Sequence, residues 1–284
     1  MPYQYRSPPN PLIMPSLKRS PSHILAGLYV PLITPFYKGH FDPQSLKNLM
    51  QFTAPEVNGF VPCLSSGEGG IVSDAVWEEV VRCTRKYTKR TVIAGIKRNT
   101  ISDTIKLANK AQRIGCNAIM VPVPCLDEQE ALQYFQDLTR KIALPVVVYN
   151  TEQNRFKSKA AIRELQKNTA IIGMKDSSMN HKLFAQMCKM RIEKTLRFPV
   201  FQGMEHQMQT PPGCDGYIVA LTNIEPRLCR DMLTKNSAPL NAKIIDLFWR
   251  YNLGGNWYVS LKSLLFERKI IRSAEEAVLA IRPQ

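Results

Sequence analysis

The feature of this sequence that most restricts its fold is an alternation of short apolar runs with longer amphipathic segments. From Gly27 onward the apolar runs have the length of strands, and the segments between them have helical periodicity. This alternation indicates βαβ units and a parallel sheet. The predicted strands are Leu28–Ile33, Gly59–Leu64, Thr91–Ala94, Ala118–Val121, Pro145–Tyr149, Ala170–Met174, Pro199–Phe201 and Tyr217–Ala220. Eight βα units favour an α/β fold of the (β/α)8 or TIM barrel type, although an open doubly wound sheet uses the same alternation.

The segments between the predicted strands carry signals for the ends of helices. Ser73 precedes Asp74 at one predicted helix start, and Asp42 precedes Pro43 at another. Serine and aspartate are favoured at helix starts because their side chains accept hydrogen bonds from the free N–H groups of the first turn. Gly115 is predicted to be a C-cap, since glycine reaches the left-handed conformation without steric cost. Residues 239–281 add two or three helices beyond the barrel.

The two ends of the chain differ from its centre. Residues 1–24 are rich in Pro, Ser and basic residues without a hydrophobic period, which is typical of a flexible arm. We therefore predict a Pro-rich basic arm at 1–24, the barrel at 25–237 and a C-terminal helical extension at 238–284.

Composition narrows the class of protein. The longest strongly apolar run, Ile142 to Tyr149, is much shorter than a membrane span, and the Pro-rich N-terminus lacks the apolar block of a secretory signal. We therefore expect a cytoplasmic protein with no membrane contact.

The 7 cysteines form no Cys-x-x-Cys pair, which argues against a zinc site and a disulfide framework. The net charge of +15 is spread along helices, as on solvated faces, which argues against nucleic acid as a partner. Nucleic-acid binding through this charge stays an alternative.

The chemistry of a (β/α)8 barrel collects at the C-terminal ends of its strands. Ser65 and Ser66 follow the second predicted strand, where hydroxyls and backbone amides could hold a carboxylate or simply cap a helix. Tyr149 ends the fifth strand, where a tyrosine can relay a proton or pack at the rim.

Lys175, directly after the sixth apolar run, is the most informative of these residues. A lysine there either extends into solvent or stays in a pocket of low dielectric constant, which favours the neutral amine that adds to a carbonyl. The fifth and sixth strands are neighbours in a barrel, so Tyr149 and Lys175 would approach each other with Ser65 across the opening. This arrangement favours the interpretation of Lys175 as a nucleophile.

At these residues the sequence resembles the dihydrodipicolinate synthase / N-acetylneuraminate lyase family of class I, Schiff-base aldolases. The resemblance extends from Gly27 to about Asn223. It is carried by four segments in order: Gly27 through Thr34-Pro35-Phe36, Leu64-Ser65-Ser66-Gly67-Glu68, Tyr149-Asn150 and Gly173-Met174-Lys175-Asp176-Ser177-Ser178. Together these segments are specific, although each alone is weak.

The resemblance implies that Lys175 condenses with a 2-keto acid, normally pyruvate, and that Tyr149 relays protons. It also implies that the amides of Ser65 and Ser66 hold the substrate carboxylate and that Gly203 and Ile218 line the pocket. No metal or organic cofactor is implied, because the protonated imine is itself the electron sink. Members are usually tetramers built from dimers, so a homotetramer or homodimer is expected.

Two departures from the family pattern concern the second substrate. Synthases have a relay tyrosine after the fourth strand, where this chain has Leu126. They also have an arginine that anchors the carboxylate of the second substrate. In this chain Arg155 stands near that position, one residue late. The leading hypothesis is therefore a synthase similar to 4-hydroxy-tetrahydrodipicolinate synthase of lysine biosynthesis, joining pyruvate to an aldehyde. The alternatives are another keto-acid aldolase or lyase, similar to N-acetylneuraminate lyase, and a catalytically silent barrel that binds a metabolite.

Overall fold

The computed structural model describes residues 26–277. Within this range, eight parallel strands close into a barrel in the order β1-β10-β9-β8-β7-β6-β5-β4. The barrel strands are β1 (Gly27–Val30), β4 (Gly59–Phe60), β5 (Thr91–Gly95), β6 (Ala118–Pro122), β7 (Val146–Asn150), β8 (Ile171–Asp176), β9 (Val200–Gln202) and β10 (Gly216–Tyr217). A small antiparallel hairpin is formed by β2 (Phe36–Tyr37) and β3 (His40–Phe41). The predicted (β/α)8 barrel is confirmed.

Helices alternate with the barrel strands and continue after the last of them. They are α1 (Pro43–Thr53), α2 (Asp74–Tyr87), α3 (Ile101–Ile114), α4 (Glu128–Lys141), α5 (Lys159–Leu165), α6 (His181–Ile192), α7 (Pro226–Lys235), α8 (Ala238–Arg250) and α9 (Trp257–Glu267). The additional C-terminal helices that the sequence predicts are therefore α8 and α9. No helix between residues 26 and 277 combines the length and apolar composition that a membrane span requires.

The predicted helix ends are confirmed by hydrogen bonds. The side chain of Ser73 accepts from the Val76 N–H at the start of α2, and that of Asp42 accepts from two N–H groups at the start of α1. Gly115 ends α3 with a φ of 89°, in the left-handed region. These caps stabilise helices at the positions where the chain leaves and rejoins the barrel.

Three barrel strands are shorter than predicted. Strand β1 ends at Val30 instead of Ile33, because Pro31 has no N–H to donate, and β4 and β10 also end early. Strand pairing in β4 stops at Phe60, because Pro62 has no N–H to donate and Cys63 has a φ of 57° that turns the chain. In β10 it stops at Tyr217, and residues 220–223 form a 3-10 turn instead of a strand. In both cases the chain leaves the sheet where it forms the rim of the barrel.

Buried apolar side chains form two separate layers. The larger layer lies between the strands and the surrounding helices. The smaller layer fills the barrel interior and consists of Tyr29, Val61, Leu64, Ile93, Ala118, Met120, Val147, Tyr149, Phe201 and Ile218. Because the interior is packed with side chains, a substrate can enter only at the rim.

The part of the chain after α9 packs back onto the barrel. The guanidinium of Arg272 makes two hydrogen bonds to the carboxylate of Asp42, at 2.8 and 2.7 Å. Glu275 accepts from the N–H groups of Lys38 and Gly39 in the β2–β3 turn. The predicted arm at 1–24 lies outside the described residues, and the predicted division at residue 237 stays a prediction.

Candidate active site

Lys175 and Tyr149 occupy equivalent positions on β8 and β7, at the C-terminal edge of the barrel. They are register partners, and the lysine Nζ lies 4.2 Å from the centroid of the tyrosine ring. Both side chains are nearly buried, with 5% and 7% of their surface exposed. The structure thus brings together the two residues on which the predicted chemistry depends.

A β-bulge decides which residue of β8 faces Tyr149. The register of β7 against β8 shifts between Val146 and Val147, which leaves one extra residue in β8. Without this shift in register Met174 would lie opposite Tyr149, because the period of a strand is two and a one-residue slip exchanges its faces. The bulge therefore turns Lys175 towards the barrel interior.

The hydroxyl of Tyr149 lies in a polarised environment. Burial alone would raise the pKa of Tyr149, but the positive charge of Lys175 and the contacts with the hydroxyls of Ser177 and Ser65 outweigh it, so the pKa lies below its usual value. A phenol with a lowered pKa exchanges protons more readily near neutral pH. The hydroxyl of Ser65 therefore lies close to that of Tyr149, and its catalytic role stays a prediction.

Polar contacts fix the strand ends beside this pair. Asp176 accepts from Asn150 Nδ2 at 3.0 Å and from both the N–H and the hydroxyl of Ser178. Burial raises the pKa of Asp176 despite these bonds and despite the positive charge of Arg155. Arg155 lies in the loop after β7, and its role in binding a substrate stays a prediction.

The loop after β4 presents hydrogen-bond donors. Among the described residues, the backbone N–H groups of Ser65, Ser66 and Gly67 have no acceptor. Such adjacent, unpaired N–H groups form a concave site for an anion. The side chain of Ser66 is also 96% buried, so the loop can bind a carboxylate away from bulk water.

The conformation of this loop is held by close contacts. A Cβ at Gly67 would lie 2.7 Å from the carbonyl oxygen of Leu32, so only glycine fits there. Thr34 donates its hydroxyl proton to the Gly67 carbonyl at 2.7 Å. The φ of 55° at Glu68 costs backbone energy on the order of 1–3 kcal/mol. The side chain of Glu68 forms a buried ion pair with Lys262.

Gly203 lies beside Lys175, and Ile218 lies in the same interior layer as Tyr149. A Cβ at Gly203 would approach Ser177 Oγ to 2.1 Å and Lys175 Cε to 2.7 Å, so the absence of a side chain leaves room for these two side chains. Ile218 is fully buried and packs in the interior layer that includes Tyr149. Their roles in binding a substrate stay predictions.

Two residues of the site were not selected from the sequence. Ser177 is nearly buried, and its Oγ has no partner of hydrogen-bonding geometry among the described residues. Glu205, just after β9, accepts from the Leu221 N–H at 3.0 Å. Burial raises the pKa of Glu205, and the charge of Lys175 only partly counters it. A charged residue soon after an apolar strand, the signal that identified Lys175, could also have identified Glu205.

The functional groups of the site are an amine, a phenol and backbone N–H groups rather than a cluster of metal ligands among the described residues. Within residues 26–277, no three His, Cys, Asp or Glu side chains cluster so that they could hold a metal ion. The arrangement offers an amine, a phenol beside it and a set of anion-binding N–H groups. This combination can hold a carboxylate while an adjacent carbonyl reacts with the amine.

Comparison with known proteins identifies the family. The model of the dihydrodipicolinate synthetase family matches residues 24–258, which is most of the chain. The chain belongs to the dihydrodipicolinate synthetase family. The resemblance carried by the strand-end motifs is thereby confirmed, as is the prediction of an enzyme of this lyase type.

Individual members of the dihydrodipicolinate synthetase family are similar at moderate identity. The 4-hydroxy-tetrahydrodipicolinate synthase of Bradyrhizobium diazoefficiens is 27% identical over 221 residues, which cover 73% of each chain. Dihydrodipicolinate synthase from Bacteroides thetaiotaomicron has the same fold, with a TM-score of 0.81, 22% identity and coverage of 89% and 92%. YagE of E. coli K12, solved in complex with pyruvate, gives a TM-score of 0.80 at 20% identity, with coverage of 89% and 91%.

Proposed function

We propose that this protein is a Schiff-base-forming carbon–carbon lyase or synthase that acts on pyruvate or another 2-keto acid. The observation that carries the proposal is the pairing of Lys175 with Tyr149, nearly buried at the C-terminal edge of the barrel. A buried amine next to a polarised phenol is suited to carbonyl addition followed by proton transfer. The pyruvate complex of YagE, a protein of the same fold, supports the choice of substrate.

In the proposed reaction the neutral amine of Lys175 attacks the keto carbon. Tyr149 relays protons so that the carbinolamine loses water and a protonated imine forms. Loss of a proton from the adjacent carbon gives an enamine, which attacks the carbonyl carbon of an aldehyde. Hydrolysis of the new imine then releases the product and regenerates the lysine. The reverse sequence is a cleavage.

The remaining site residues have roles in binding. The N–H groups of Ser65 and Ser66 would hold the keto-acid carboxylate, and Gly203 and Ile218 would shape the space for the reacting carbons. Arg155 would attract a second carboxylate at the rim. The imine supplies the electron sink, so the proposal needs no cofactor.

The second substrate depends on which member of the family this protein resembles in activity. The first activity to test is that of 4-hydroxy-tetrahydrodipicolinate synthase, because the matched relatives carry that name. Leu126, at the position of the family's relay tyrosine, is 49% exposed and offers no hydroxyl. This feature favours another aldehyde as the alternative, as in an aldolase similar to N-acetylneuraminate lyase. A cytoplasmic homotetramer or homodimer is part of the same proposal.

Borohydride trapping tests the imine. Incubation with pyruvate and borohydride should attach a reduced pyruvyl group to Lys175, detected by peptide mass spectrometry. Lys175→Ala should abolish the adduct, while Lys182→Ala, at an exposed lysine on α6, should not change it. An unmodified Lys175 after trapping with a panel of 2-keto acids would instead support the silent barrel. Assays of pyruvate with aspartate semialdehyde, N-acetylmannosamine and simple aldehydes then identify the second substrate.

A further inference from the structure

Helix α9, in the C-terminal part of the chain, contacts the anion-binding loop directly. Trp257 is the first residue of α9, and its indole Nε1 donates to Ser66 Oγ at 3.3 Å. The two residues are 191 positions apart in the sequence. Trp257 is therefore brought to the loop only by the packing of α9 on the barrel rim.

The direction of this hydrogen bond matters for the chemistry of the loop. An indole N–H can only donate, so the Ser66 oxygen must accept, and its own proton has to point to another group. Among the described residues, the Ser66 hydroxyl has no other hydrogen-bond partner. Its proton is thus free to join the unpaired N–H groups of Ser65, Ser66 and Gly67 as an additional donor.

The indole is held in place by a buried anchor on the same helix. The ammonium of Lys262 pairs with Glu68, and both side chains are completely buried. Lys262 Nζ also donates to the Glu275 carbonyl at 2.8 Å, and Glu68 accepts from the Ala277 N–H at 2.6 Å. These bonds hold α9 against the loop at Glu68, which is two residues after Ser66.

We infer that Trp257 is a positioning residue that keeps the Ser66 hydroxyl oriented as a donor to the carboxylate of the 2-keto acid. This inference rests on the proposed function. It assigns to Trp257 a part in selecting keto acids over simple ketones, since only the acids present a carboxylate to the loop. Trp257 itself does not touch the reacting atoms.

The test compares two tryptophans with the same substitution. Trp257→Phe removes the indole N–H and keeps an aromatic ring, and Trp249→Phe makes the same change at a residue that is 70% exposed on α8. The pyruvate concentration for half-maximal trapping at Lys175 should rise about tenfold in Trp257→Phe, as for a weakened hydrogen bond to a charged group. The maximal extent of trapping should stay unchanged, and Trp249→Phe should behave as the wild type.

Further measurements separate positioning from general damage. Trapping of acetone, which lacks a carboxylate, should be the same in Trp257→Phe and the wild type. Trp257→His, which keeps a ring N–H, should recover part of the pyruvate affinity. Ser66→Ala should weaken pyruvate binding, and adding Trp257→Phe to it should cause no further loss, because coupled residues are not additive.

Three outcomes would overturn the inference: unchanged pyruvate half-saturation in Trp257→Phe, an equal loss for acetone, or additive effects of Trp257→Phe and Ser66→Ala. Circular dichroism shows whether each variant is folded, and Trp257→Leu, which also lacks a side-chain donor, replaces Trp257→Phe if the latter is not. Failure of the wild type to trap any 2-keto acid would contradict the proposed function itself. These results are distinguishable because the inference is tested only on protein that forms the adduct.

Discussion

Lys175 lies directly opposite Tyr149 across β7 and β8, with its nitrogen 4.2 Å from the centre of the tyrosine ring. In this position the ammonium lowers the pKa of the phenol against the opposing effect of burial. The two groups therefore form one unit, in which a charge on the lysine stabilises a negative charge on the tyrosine.

Replacement of Tyr149 by phenylalanine tests proton relay. Tyr149→Phe keeps the ring beside Lys175 and removes the hydroxyl, so we expect exchange of the pyruvate methyl protons to slow by about 10²–10⁴-fold. Proton NMR in deuterated buffer measures this exchange. Tyr134→Phe, at a half-buried tyrosine whose hydroxyl contacts Thr104, is the control. Exchange at the wild-type rate in Tyr149→Phe would remove Tyr149 from the mechanism.

A methyl group at position 203 should block the space beside the lysine. Gly203→Ala places a Cβ within 2.7 Å of Lys175 Cε and closer still to Ser177 Oγ, so one of these side chains must move. Because displacement of a reacting group by about 1 Å can cost about 100-fold, we expect borohydride trapping to slow by about that factor. The matched control is Gly254→Ala, whose Cβ would meet no atom closer than 3.5 Å. Equal trapping rates in both variants would contradict the prediction.

The buried pair of Lys262 and Glu68 should be important for stability. Removing one partner leaves an uncompensated buried charge, so Lys262→Met should lower the free energy of unfolding by about 3–5 kcal/mol. Adding Glu68→Gln should recover part of the loss. Arg250→Met breaks the exposed ion pair of Arg250 with Asp246, one helical turn away, and should cost only about 0.3–0.5 kcal/mol. Urea unfolding measures all three variants, and a similar cost for the two single substitutions would argue against this role.

Glu205 should make stability depend on pH. Its folded-state pKa is raised above the unfolded value of 4.5 by burial, so the stability contributed by the protonated acid is present below pH 4.5. That stability is lost as the pH rises through the folded-state pKa. Glu205→Gln should therefore raise the melting temperature at pH 7 by about 2–4 °C, the effect of roughly 1 kcal/mol, and not at pH 4.

The control for this experiment is Glu267→Gln, at an exposed position on α9. It should change the melting temperature little at either pH. A gain in Glu205→Gln that is equally large at pH 4 and pH 7 would show that titration of the carboxyl is not its cause.

Much of the fold and part of the site could be predicted because their signals are local. Apolar periodicity and capping residues such as Ser73 mark elements one at a time, and strand-end residues of a barrel share one rim. Lys175, Tyr149 and Ser65 could thus be expected to converge. The strand ends at β4 and β10 could not, since they depend on backbone turns at the rim.

The order of strands and helices and the set of polar residues at the strand ends follow from the sequence alone. Which of those residues face one another depends on how the strands pair in three dimensions. The extra residue in β8 turns Lys175 rather than Met174 towards Tyr149, and periodicity cannot reveal a bulge that only pairing with β7 defines. Contact of Trp257 with Ser66 is likewise set by packing over a long sequence separation, where no local signal exists.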